Sequence, residues 1–174
     1  SEYPLDLVQR LGDLDVMTDG LAVEGHEQMS TLGAGLALME VTRADASMGT
    51  VIAVQAGLAM RSISMLGSPE QQASYLPRMA SCSLLGAFGL TEPAHGSDSI
   101  ALETTAVRDG DEWVLNGEKK WIGNGASGGV TIIYARMEDG NVGGFIVPQE
   151  APGYSASVIE GKLSLRAIHQ AHIT

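Results

Sequence analysis

Thr104-Thr105-Ala106-Val107-Arg108-Asp109-Gly110-Asp111-Glu112-Trp113-Val114-Leu115-Asn116-Gly117-Glu118-Lys119-Lys120-Trp121-Ile122 decides the fold of the second half of this chain. Three runs with strand character, Thr104 to Arg108, Glu112 to Leu115 and Lys119 to Ile122, are separated by Asp109-Gly110 and Asn116-Gly117. Those dipeptides tolerate positive φ at both central positions of a two-residue hairpin turn, so the spacing predicts a three-stranded meander. Downstream, Val130 to Ala135 is rich in β-branched residues, Glu138-Asp139-Gly140-Asn141 turns the chain, and Gly144 to Val147 runs back. Strands at this interval predict an antiparallel sandwich or barrel, not a doubly wound parallel sheet. The dense glycine cluster from Gly123 to Gly129 lacks the strand-to-helix phosphate pattern of a dinucleotide fold.

Upstream the period changes to that of helices. Ser30 and Thr31 offer a cap, after which Leu32, Leu36 and Met39 recur at helical spacing with Glu40 and Arg43 on another face. Val51 to Met65 is apolar nearly all round and is expected inside a helical layer. Gly67 ends that helix. Ser68-Pro69-Glu70-Gln71 restarts one, with Ser68 as N-cap, Pro69 at the first helical position and Gln71 placed for a capping box. The expected architecture is therefore α+β: a helical segment over residues 1–82, then a β domain over 83–174.

The chain has 174 residues and 44% hydrophobic content, enough for a substantial core. Ten Lys and Arg against 21 Asp and Glu leave a net charge of −11, which repels nucleic acid and anionic lipid at long range. Neither nucleic-acid binding nor membrane insertion is expected; the uncharged, apolar run Ala46 to Met60 is shorter than a bilayer needs. Cys82 is the sole cysteine, which excludes an internal disulfide and reads as core packing. His26, His95, His169 and His172 form no plausible metal-ligand set. No secretory leader is visible at Ser1, and the first residues read as the middle of a domain.

Two segments suggest chemistry. Phe88-Gly89-Leu90-Thr91-Glu92-Pro93-Ala94-His95-Gly96-Ser97-Asp98 combines a hydroxyl, a rigid bend, a glycine hinge and small polar groups at the end of an apolar run, and Lys119-Lys120-Trp121-Ile122-Gly123-Asn124 follows about twenty residues later. Such a mixture suits strand ends laid against a planar ligand with a polar rim, because backbone amides and one hydroxyl reach it without bulky side chains intervening. The two segments resemble the flavin-binding motifs of the acyl-CoA dehydrogenase family. The resemblance extends to Met39-Glu40, Arg43 to Ser47, Gly67 to Gln72, Tyr75-Leu76-Pro77, Gly144 to Val147 and Ala151-Pro152-Gly153, and covers nearly the whole chain.

The resemblance implies an N-terminal helical domain, a middle β domain and a C-terminal four-helix domain that is absent from this chain. It places FAD against Phe88, Gly89, Leu90, Thr91, Gly96, Ser97, Trp121, Ile122 and Gly123, with Ser97 and Thr50 on the acyl-CoA. Fixed donors at Leu90 and Thr91 would stabilise the negative charge that a reduced flavin gathers on its pyrimidine edge. Taken singly, Thr91 would be an ordinary strand-end hydroxyl, Phe88 a core aromatic and Ser97 a turn cap. Glu92 and Asp98 are set aside as acid/base candidates, since carboxylates beside such a bend usually bond amides. The resemblance assigns the proton-abstracting glutamate to the absent domain, so no catalytic residue is expected here.

Two departures from the family pattern bear on chemistry. Where the family has Trp-Ile-Thr or Trp-Ile-Ser, this chain has Gly123, a swap shared with short-chain acyl-CoA oxidases of plant type and expected to open space beside the flavin. The chain is most similar to the glutaryl-CoA dehydrogenase branch, yet Gly49 stands where that branch carries an arginine for the distal carboxylate. Without a guanidinium a buried carboxylate would be unpaired, so a neutral acyl chain is expected. The implied function is FAD-dependent dehydrogenation to a trans-2-enoyl-CoA, with an electron-transferring flavoprotein as acceptor. The alternatives are an oxidase that reduces dioxygen and a noncatalytic flavin-fold binding protein. A homotetramer is implied, cytoplasmic in a bacterium and mitochondrial or peroxisomal in a eukaryote.

Overall fold

A computed structural model describes residues 3–174. Four helices come first: α1 (Leu5–Asp13), α2 (Thr31–Ala44), α3 (Ala46–Leu66) and α4 (Pro69–Ala80). Their boundaries follow the expected caps. Ser30 Oγ accepts from the Gly33 amide at 3.0 Å, and Ser68 and Gln71 form the reciprocal capping box, with Pro69 in the first turn. Asp45 ends α2 and starts α3, its Oδ1 accepting from the amides of Ser47 and Met48.

Helix α3 continues beyond the uncharged run to 21 residues and is, by length and composition, long enough to cross a bilayer. It is the core helix instead: Met48, Val51, Ile52, Ala56, Ala59, Met60 and Ile63 are buried and pack with Leu76, Met79, Leu85, Ile132 and Ile168. The helices and the sheet thus share one core. The stripe on α2 turns the other way, since Leu32, Leu36 and Met39 are 74%, 50% and 56% exposed and Ala34 is the residue α2 buries.

Eight strands follow: β1 (Gly86–Gly89), β2 (Thr105–Asp109), β3 (Glu112–Asn116), β4 (Lys119–Gly123), β5 (Val130–Met137), β6 (Val142–Pro148), β7 (Ala156–Val158) and β8 (Gln170–Ile173). They form two sheets, one built on β5 with β1, β2, β3 and β6, the other in the order β4-β8-β7. The first sheet is not wholly antiparallel: β1 and β2 each run parallel to β5, while β6 pairs antiparallel along it. Nor does the expected meander continue past its first turn. β2 and β3 form a hairpin around Gly110 and Asp111, but β4 pairs with β8 in the other sheet. Asn116 does not take up the positive φ that the expected two-residue turn needs, Gly117 lies at φ 152°, and Gly117 crosses against Thr104 so closely that an added Cβ would lie 2.7 Å from Thr104 Cα. Asn116-Gly117 therefore passes the chain between sheets.

Gln55 links the two halves. Fully buried on α3, it donates to the carbonyls of Met79 (2.8 Å) and Leu84 (2.9 Å) and accepts from the Gly86 amide (2.6 Å), which positions the first residue of β1. Gln55→Leu would strand these backbone groups in the core. The expected loss is about 3 kcal/mol, read as a lowered denaturation midpoint of the full-length protein; an unchanged midpoint would show that the link contributes nothing.

Candidate functional site

Strand β1 delivers the first motif to the edge of its sheet and β4 delivers the second to the edge of the other. Phe88 is half-buried and packs against Tyr134, ring centroids 5.1 Å apart, and the Tyr134 hydroxyl donates to Ser62 on α3. Gly89 is held tight, because a Cβ there would lie 2.8 Å from Ile133 Cδ1. The chain leaves the sheet at Leu90. Thr91 is half-buried, its carbonyl accepts from the Lys120 amide at 2.9 Å, and its hydroxyl finds no protein partner among the described residues.

Strand β4 contains one extra residue relative to β8: Lys119 lies opposite Ile173 and Ile122 opposite Ala171. The bulge turns Trp121 into the left-handed region at φ 65° and leaves it 51% exposed. A bulky residue in that conformation stores backbone strain of about 1–2 kcal/mol. Ile122 faces inward with Ala87, Ala171 and Ile173. Gly123 is buried, and an added Cβ would meet Ile168 Cδ1 and Val54 Cγ2, each at 3.1 Å. Neighbouring apolar side chains fill the direction a threonine would use. Gly123→Thr is expected to overpack this corner by about 1–3 kcal/mol, with Ile168→Val in the same chain recovering part of the loss in thermal midpoint.

Asn124 completes the junction. It is fully buried at φ 61°, donates to the Gly86 carbonyl at 3.1 Å and accepts from the Tyr3 hydroxyl at 2.9 Å. Gln149 holds the following loop, donating to the Asn124 carbonyl at 2.8 Å and accepting from the amides of Ser127 and Gly128. Neither residue stood out in the sequence; the sole signal for Asn124 was its place at the end of the second motif.

Beneath the two motifs lies an ion pair. Lys119 Nζ is 2.8 Å from Glu92 Oε1, with the side chains 2% and 4% exposed. Lys119 also donates to the Leu90 carbonyl at 3.1 Å, while Glu92 accepts from the amides of Glu103 (2.6 Å) and Thr104 (2.9 Å) and from the Thr104 hydroxyl. Burial pushes the Glu92 carboxyl up, but these donors and the Lys119 ammonium outweigh it and bring it down to about 2. Burial draws the Lys119 ammonium down, opposed by the bond to Glu92 and its charge. A carboxylate so held is a structural anion.

Gly96 and Ser97 sit apart on an exposed loop, where a Cβ on Gly96 would meet nothing. Thr50 lies on α3, its hydroxyl donating to the Ala46 carbonyl at 2.8 Å. Gly49 is packed against α2, and a Cβ there would overlap Thr42 Oγ1 and lie 2.9 Å from Thr42 Cβ. His26, His95 and His172 face Asp15, Glu103 and Glu118 respectively. Burial, with the Asp13 charge, pushes the Cys82 thiol up to about 12. A cavity of about 810 Å³ is lined by the β2–β3 hairpin, by β6 and by Thr104 and Lys119, and by neither Thr91 nor Trp121.

Residues 1–83 match the acyl-CoA dehydrogenase N-terminal domain and residues 87–174 the acyl-CoA dehydrogenase middle domain. The chain belongs to the acyl-CoA dehydrogenase family. Among its relatives, the mitochondrial short-chain specific acyl-CoA dehydrogenase of Mus musculus is 34% identical over 98% of this chain and 43% of its own length. An acyl-CoA dehydrogenase of Bacillus subtilis is 35% identical over 94% of this chain and 45% of its own length. A glutaryl-CoA dehydrogenase of Mycobacterium smegmatis, solved in complex with FADH2, superposes with a TM-score of 0.94 at 39% identity, covering 98% of this chain and 44% of that one. The chain thus spans under half the length of the relatives it matches. Within this acyl-CoA dehydrogenase chain, the junction of Thr91 with Lys120 and Trp121 is where the two sequence motifs meet.

Proposed function

We propose that this chain supplies the flavin-holding part of an FAD-dependent dehydrogenase that converts a neutral acyl-CoA to its trans-2-enoyl-CoA. One observation supports it above the others: a half-exposed indole and a hydroxyl with no protein partner among the described residues lie on adjoining chain segments, joined by the Lys120 amide and the Thr91 carbonyl. An apolar plate beside a free polar group fits a ring system with an apolar face and a polar rim. Trp121 and Thr91 would hold the flavin, with Leu90 and Gly123 contributing backbone and Gly96 and Ser97 an adaptable loop. When bound, FAD supplies the acceptor for the hydride leaving the β carbon of the substrate. The chain's own contribution is to bind, orient and exclude water from one side of the ring.

The neutral acyl chain is supported by the packing at Gly49, where Thr42 leaves no room for a cation. The acceptor is an electron-transferring flavoprotein; the oxidase alternative, which rests on the Trp121-Ile122-Gly123-Asn124 match to short-chain acyl-CoA oxidases of plant type, is disfavoured by the close packing of Ile168 and Val54 at Gly123. The test uses the full-length protein. Acyl-CoA added anaerobically should bleach a bound yellow chromophore, and in air the yield of hydrogen peroxide should be small and unaffected by Gly123→Thr. A colourless protein, or one whose flavin never bleaches with any saturated acyl-CoA, would overturn the reading. Thr91→Val is expected to slow flavin reduction by on the order of 10- to 100-fold, checked by stopped-flow absorbance.

A further inference from the structure

The Glu92–Lys119 pair spans the two motifs with both side chains almost wholly buried. Lys119 immediately precedes the bulge that turns Trp121 outward, and Glu92 immediately follows Thr91. The ammonium also binds the Leu90 carbonyl, while the next amide along the chain, that of Lys120, binds the Thr91 carbonyl. Two separate strand ends are therefore tied at three points within a few residues: ammonium to carboxylate, ammonium to carbonyl, and amide to carbonyl. Glu92 is anchored in turn to the chain entering β2 through the Glu103 and Thr104 amides.

A buried ion pair is a poor source of stability, because desolvating two charges cancels most of their attraction, and apolar replacements often do as well. It is a good source of orientation, since a charge in the core tolerates few positions for its partner. We infer that Glu92 and Lys119 are positioning residues that hold the Thr91 hydroxyl and the Trp121 indole at one fixed separation, so that the flavin meets a preformed edge. The inference rests on the flavin reading above. It assigns to the pair no contact with flavin or substrate and no part in proton transfer.

The test compares full-length wild type with Glu92→Gln/Lys119→Met, which removes both charges together, and with Leu76→Ala, a core variant of α4 away from the motifs. FAD affinity is measured by fluorescence titration of apoprotein at a temperature where circular dichroism shows each to be folded. The double variant should bind FAD on the order of 10- to 100-fold more weakly, with shifted visible bands in the flavin that remains, whereas Leu76→Ala should bind as wild type does. Glu92→Asp, which keeps the charge but withdraws it by one methylene, should weaken binding to a smaller degree and serves if the double variant does not fold. Wild-type affinity and an unshifted spectrum in a folded Glu92 variant would overturn the clamp while leaving the flavin site standing. A wild type that takes up no FAD would overturn the flavin reading and the clamp with it.

Discussion

Lys119→Met alone is expected to cost about 3–5 kcal/mol of stability, more than the double replacement of the pair. The single change leaves Glu92 as a buried anion with its amide donors but no counter-charge; the double change leaves no charge to compensate. The order of effects is the informative part, and denaturation midpoints of the wild type, both single variants and the double variant read it as a coupling energy. If the double variant were as unstable as Lys119→Met, the two side chains would not be acting as a pair. Acid provides a second handle on the same group. Glu92 has a folded-state value near 2 against 4.5 for an ordinary glutamate, so its contribution is fully present above about 4.5 and is lost as pH falls toward 2. That shift corresponds to roughly 3 kcal/mol. Removing Lys119 should move the loss to higher pH, seen as an acid-unfolding midpoint displaced upward, and a midpoint that stays put would mean that the amides alone hold the carboxylate.

Gly49→Arg is expected to unfold or loosen the helical layer without conferring use of a dicarboxylic acyl-CoA. Any side chain at position 49 is directed at α2, where Thr42 Oγ1 occupies the place of the Cβ and Thr42 Cα lies 3.1 Å from it. Backbone cannot yield as a side-chain tip can, so the cost should be roughly 3 kcal/mol or more. Adding Thr42→Gly should return much of the thermal midpoint. Turnover of glutaryl-CoA by a stable single variant would show that the position opens to the acyl chain and that the packing argument for a neutral substrate is mistaken.

Legibility in the sequence followed the range of the interactions involved. The Ser68 capping box, the Ser30 cap, and the locations of β2, β3, β5 and β6 depend on contacts within a few residues, and each was readable from spacing and turn chemistry. The two motifs were legible as candidates because their residue types suit one ligand chemistry. Directions were not legible. Nothing local distinguishes the buried Lys119 from the half-buried Lys120, or tells that Leu32 and Met39 face outward while Ala34 packs. The filled space beside Gly123 depends on Val54 and Ile168, which are distant in sequence on both sides.

By itself, then, the amino-acid order determined an α+β chain with its helix ends and turns, the family to which its motifs belong, and the absence of any internal disulfide. Only the tertiary structure decided that β4 leaves its hairpin for the second sheet, that Glu92 and Lys119 meet in the interior, and that Trp121 is turned outward by a bulge. Caps and turns are settled by neighbours along the chain, whereas strand partnership and side-chain direction are settled by which distant surfaces must be covered and which buried charges must find one another.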